Sequence, residues 1–111
     1  MKIDFNESES VSIEHFYGGE GTTDACMNVD EAGNRILKGR LAPGCSIGLH
    51  RHEKSMEAIF ILSGTGKAIC DGREERLSPG DCHFCPEGSE HSLINDGIGD
   101  LTFFAMVPKL G

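Results

Sequence analysis

Positive charge is scarce in this sequence. Its 111 residues carry 10 Lys and Arg against 18 Asp and Glu, a formal net charge of −8. Such a surface is repelled by phosphate backbones and anionic lipid, so roles on nucleic acid or at a membrane surface are not expected. Long apolar runs are missing too. Stretches such as Ala58 to Leu62 fall far short of the roughly 20 residues that a membrane-spanning helix needs. The segment Met1 to Phe5 has no apolar stretch resembling a signal peptide. These absences lead to the expectation of a soluble, cytoplasmic protein. No window shows a helical period with caps, and there is no repeat, linker or low-complexity tract. An even set of cysteines is also lacking: Cys26, Cys45, Cys70, Cys82 and Cys85 are five. An odd count without a secretion signal argues against a disulfide framework. Cys82 and Cys85 spell C-x-x-C, but no second half-site exists. In an extended segment residues three apart point to opposite faces, so these two read as small apolar residues in a reducing cell.

Glycine, by contrast, is plentiful at 15 residues, and short apolar segments alternate with Gly, Pro, Asn and Asp. That punctuation predicts an all-β chain. Strands are expected from Val11 to His15, over Arg35 to Leu41 and Glu57 to Leu62, around Cys82 to Cys85, and at Leu93-Ile94 and Leu101 to Val107. Lys67 to Cys70 leads into Asp71-Gly72, a favoured hairpin turn. Ser78-Pro79-Gly80-Asp81 has the Pro-Gly order of a type II turn, and Asn28 to Asn34 reads as a polar turn. About eight short strands close most naturally as a sandwich or barrel, which shields their edges.

Four residues on this scaffold are suited to hold a metal: His50, His52, Glu57 and His91. His50 and His52 are two apart, so an extended segment presents both on one side. Glu57 shares its strand face with Ile59 and Ile61, and a carboxylate at the end of an inward apolar row is costly without a cation or hydrogen-bond partner. Pro86-Glu87-Gly88 forms a turn that can return His91 across the other three.

Spacing sharpens this. Gly44 is followed by five residues, then His50-x-His52, four residues, Glu57, six residues and Gly64. Gly80 is followed by five residues, then Pro86-x-Gly88, two residues, His91, three residues and Asn95. The two strings resemble the paired signature motifs of the cupin superfamily at ten positions, with a short 15-residue separation from Thr65 to Pro79. The resemblance implies a cupin-type double-stranded β-helix, a jelly-roll barrel, as a single domain over 1–111 with N-terminal strands in 1–34 and a core in 35–107. It also implies one divalent metal ion on His50, His52, Glu57 and His91. Three neutral imidazoles and one carboxylate around a divalent ion leave a net charge of about +1, suited to Fe, Mn, Ni, Co or Zn.

The resemblance further implies a small anionic ligand, a carboxylate, keto acid or sugar derivative. Isomerase, decarboxylase and dioxygenase chemistries all occur with this signature; the alternative is a non-catalytic binding or sensing module whose metal anchors its ligand. The two differ in whether a second acid or base lies inside the barrel, for which His83 is the sequence's candidate catalytic residue. Outside the motifs, His15 is expected at the surface, and Tyr17, the only tyrosine, either faces a ligand or caps the surface. Arg51 and Lys54 are expected on a solvated rim where they could steer an anion. Phe60, Leu62, Phe84, Phe103 and Phe104 exceed what one inward row accommodates, so a homodimer is expected.

Overall fold

A computed structural model describes all 111 residues. Ten strands form: β1 (Val11–Glu14), β2 (Thr22–Val29), β3 (Arg35–Leu41), β4 (Ser46–Arg51), β5 (Glu57–Ser63), β6 (Gly66–Cys70), β7 (Arg73–Leu77), β8 (Cys82–Cys85), β9 (Glu90–Ile94) and β10 (Leu101–Val107). The one helical piece is a 3₁₀ turn, Phe16–Gly18. The strands make a six-stranded sheet in the order β1-β2-β3-β10-β5-β8 and a four-stranded sheet in the order β4-β9-β6-β7. All pairings are antiparallel. This is the expected two-layer, all-β architecture.

Turn chemistry explains much of the connectivity. Asp71 and Gly72 both have positive φ, 50° and 79°, as a two-residue hairpin matched to strand twist requires. Gly80 has φ 93° after Pro79, and Asp81 N–H donates to the Ser78 carbonyl at 3.0 Å, closing the expected Pro-Gly turn. Strands β2, β4 and β7 were not among those expected. Arg73-Glu74-Glu75-Arg76 shows no apolar alternation, because β7 is a sheet edge with four of its five residues exposed. The polar turn expected over Asn28 to Asn34 begins later, since Asn28 and Val29 still pair with Ile36 and Arg35. It is built by Asp30, whose carboxylate accepts from both the backbone and side-chain amides of Asn34 at 2.9 Å.

The core lies between the sheets. Leu41, Ile59, Leu93, Leu101 and Phe103 are fully enclosed there. Phe103 sits opposite Gly39 in the β10–β3 register, and a Cβ on Gly39 would lie 2.4 Å from the ring's Cζ. A side chain at that point would displace the largest residue of the core. Asn95 pins the end of β9: its buried amide donates to the carbonyls of Leu41 (2.8 Å) and Gly99 (2.9 Å), and its Oδ1 accepts from Gly97 N–H at 2.9 Å. Its backbone meanwhile exchanges bonds with Gly44 and Cys45 at 2.9 and 3.0 Å. Of the signature positions, Asn95 and Gly44 therefore serve the scaffold. Cys82 is exposed and Cys85 fully buried, the opposite facing expected of strand residues three apart.

Candidate metal centre and ligand cavity

Strand alternation alone would not aim His50 inward. Ile47 is buried, and two residues on, Leu49 should follow it; instead Leu49 is 58% exposed. Between Ile47↔Leu93 and His50↔His91 the β4–β9 register slips by one residue. This bulge, centred near Gly48, reverses the facing and turns His50, and after it His52, into the sandwich. Glu57 opens β5 in phase with Ile59 and Ile61, as expected, and His91 enters β9 behind the Pro86–Gly88 turn.

Donor atoms from the four residues all lie within 4.8 Å of one another. His91 Nε2 is 2.8 Å from Glu57 Oε1, 3.0 Å from His52 Nε2 and 3.1 Å from His50 Nε2. His52 Nε2 is also 3.1 Å from Glu57 Oε1. Each ring is held from behind through Nδ1. His50 Nδ1–H donates to the Gly48 carbonyl at 2.8 Å, which leaves its Nε2 a lone pair. His52 Nδ1 lies 2.9 Å from Ser55 Oγ, and His91 Nδ1 lies 2.9 Å from His83 Nε2. His83 Nδ1 in turn bonds the Glu75 carboxylate. Fixed outer nitrogens with converging inner ones are what metal-ligating imidazoles require. The spacing fits as well, since adjacent ligands about 2.1 Å from one ion stand roughly 3 Å apart.

Electrostatics favour the same protonation states. Burial raises the Glu57 carboxyl, but the facing imidazoles of His50, His52 and His91 outweigh it and hold Glu57 below the usual carboxylate range. Burial likewise lowers His91 in spite of the nearby Glu57, keeping the imidazole neutral. Cys85, paired with Glu57 across β5 and β8, is pushed up to about 12 by burial and then by Cys70, so it remains a thiol and offers no thiolate ligand.

A cavity open to solvent lies against His50, Glu57 and His91. Its wall is mostly apolar, made by Leu37, Ile47, Ile59, Leu93, Phe103 and Val107. Tyr17 enters it from the 3₁₀ turn and stacks on His50, 4.1 Å between centroids with 16° between planes. Two glycines permit that approach: a Cβ on Gly48 would stand 2.0 Å from the Tyr17 carbonyl oxygen, and one on Gly19 2.1 Å from that of Ser46.

Other candidates fall elsewhere. His83 is 1% exposed but lies behind His91 with both ring nitrogens engaged, so it does not face the cavity. His15 is exposed, as expected. Arg51 reaches Glu90 at 3.5 Å and bonds the Gly88 carbonyl, while Lys54 is exposed; neither lines the cavity. The cation that does line it is Arg35. Sequence reasoning missed it, because Arg35 stands outside both motifs. The available signal was its place two before Leu37, at the start of an inward-facing row.

Comparison with known proteins agrees with the geometry. Residues 37–107 match the cupin domain family. The chain belongs to the cupin family. An oxalate-binding protein of Thermotoga maritima is 30% identical to this cupin over 96% of the present chain and 93% of its own. The crystal structure of a predicted oxalate decarboxylase from Thermotoga maritima superposes with a TM-score of 0.92 at 30% identity, covering 99% of this chain and 100% of that one. The cupin domain of Schizosaccharomyces pombe Cnp3 superposes with a TM-score of 0.79 over 97% of this chain and 73% of that one; at 10% identity it shares the fold alone.

Proposed function

We propose that this cupin is a cytoplasmic, metal-dependent binding protein for a small dicarboxylate of the oxalate class. The observation that carries the reading is the convergence of His50, His52, Glu57 and His91, three of which line a mostly apolar cavity that holds few other polar groups. A bound divalent ion would supply Lewis acidity toward the carboxylate oxygens of such a ligand. The protein's own contribution is to orient the three imidazoles through Gly48, Ser55 and His83, to keep Glu57 ionised, and to exclude water with Leu37, Ile47, Ile59 and Phe103. Likeness to the oxalate-binding protein of Thermotoga maritima supports the ligand class. Five free cysteines accord with a reducing compartment.

The enzyme reading needs an acid or base that touches the ligand. His83 spends both nitrogens on His91 and Glu75. Apart from the candidate metal donors, the polar side chains of the cavity are the Tyr17 phenol, stacked on His50, and Arg35. Binding without turnover is therefore the better-supported reading.

Calorimetric titration of oxalate into manganese(II)-reconstituted protein tests the proposal, with metal content measured on the same sample. One oxalate bound per metal, and none by the metal-stripped protein, is expected. Metal-loaded protein that takes up no oxalate overturns the reading.

A further inference from the structure

Arg35 is an unusual charge in this molecule. Arg40, Arg51 and Arg76 are each engaged by carboxylates at the surface. Arg35 is half-buried, lines the cavity, and forms no ion pair although the chain has 18 acidic residues.

Strand register shows where it stands. Arg35 pairs with Val107 across β3 and β10, and the β10–β5 pairing of Met106 with Ala58 brings Val107 level with Glu57 one residue further on. Arg35, Val107 and Glu57 thus form one lateral row across three neighbouring strands of the six-stranded sheet. All three line the cavity. With strands about 4.8 Å apart, the backbones of Arg35 and Glu57 are roughly 10 Å from each other. Val107 is the one residue between Arg35 and Glu57 in that row.

We infer that Arg35 is the specificity-determining residue for the ligand, selecting a dianion by clamping the oxygens that face away from the metal centre. The inference rests on the dicarboxylate-binding reading above. Charge accounts for the preference. Three imidazoles, Glu57 and a divalent ion leave the centre near +1, so a bound dianion brings it near −1 and one guanidinium restores neutrality. A monoanion already neutralises the centre and leaves Arg35 without a counter-charge in a partly desolvated cavity. Geometry agrees: a dicarboxylate held by one oxygen from each carboxylate turns its other two outward, and a guanidinium fork donates to such a pair in bidentate fashion.

The test compares manganese(II)-reconstituted wild type with Arg35→Gln and Arg35→Lys, titrated with oxalate and with formate, with metal content measured for each. Wild type is expected to prefer oxalate. Arg35→Gln should keep full metal content and formate affinity within about threefold, yet lose roughly 30-fold or more in oxalate affinity. Arg35→Lys should recover part of that loss, because it restores the charge without the fork. Oxalate affinity in metal-loaded Arg35→Gln within threefold of wild type overturns the role of Arg35 alone. An equal loss for oxalate and formate also overturns it, since that marks a structural effect. Metal-loaded wild type that binds no oxalate overturns the functional reading itself, and this inference with it.

Discussion

Each imidazole around the candidate metal centre has a partner fixing its far nitrogen, and at His91 that partner is another buried histidine. The chain Glu75–His83–His91 sets which nitrogen of His91 points inward, so His83 acts on the metal through His91 without touching the ligand. His83→Ala is expected to lower metal affinity 10- to 100-fold while the barrel stays folded, whereas Glu75→Gln should cost less because Glu75 is largely exposed. Competition with a chelator measures both, and unchanged affinity in His83→Ala would show that packing alone orients His91. Loss of a direct ligand, as in His52→Ala, should be larger, emptying the site at metal concentrations that saturate the wild type.

Acid should act in a defined direction at the same residues. His91 is held below its usual value by burial, so its folded pKa lies under its unfolded one near 6.5. The neutral form is the one the fold favours. The stability it contributes is present above about pH 6.5 and is lost as pH falls through the window beneath, where the unfolded chain takes up a proton first. Metal-stripped protein should therefore melt at a lower temperature at pH 5 than at pH 7.5, and His91→Gln should reduce the difference. An equal drop in wild type and variant would assign the effect to other groups. Glu57, also lowered, adds a loss of the same sign only below its unfolded value near 4.3.

At the scale of elements, the bulge in β4 and the 3₁₀ turn form one device. The bulge turns His50 inward, and the glycine at its centre lets the turn lie directly on β4 so that Tyr17 covers the His50 ring. Gly48→Ala places a methyl 2.0 Å from the Tyr17 carbonyl, where backbone rather than a flexible side chain must give way. The expected outcome is displacement of the turn, a cost of about 1–3 kcal/mol in stability, and loss of Tyr17 stacking. The chain has one tyrosine and no tryptophan, so intrinsic fluorescence reports on Tyr17 alone. Emission unchanged between wild type and Gly48→Ala would show that the turn accommodates the methyl without moving.

At the scale of the molecule, the outer face of the six-stranded sheet is unusually apolar. Phe60 on β5 and Phe84 on β8 are 50% and 52% exposed, and Leu62 and Met106 lie uncovered on the same sheet. Ala58 pairs with Phe84 and with Met106, so these side chains form one continuous patch across three strands. Such a patch on an otherwise acidic protein favours a second copy that meets it with the same surface. Dimers are expected in solution, and Phe84→Asp should shift sedimentation to the monomer with the candidate metal centre intact. A wild type that sediments as a monomer at high concentration would refute this.

What the amino-acid order determined by itself was local. Turn residues at Asp71-Gly72 and Ser78 to Asp81 dictate backbone angles within a few residues, and the spacing of His50, His52, Glu57 and His91 is a property of the chain that any fold must respect. Alternation could place Glu57 correctly because β5 is regular from its first residue. It could not aim His50, since the bulge that does so exists only relative to β9. Nor could it show that His83 backs His91, that Tyr17 covers His50, or that Arg35 faces the cavity two strands from Glu57. Those relations depend on lateral register between strands distant in sequence, which is set when the apolar rows of two sheets close on one core around Phe103.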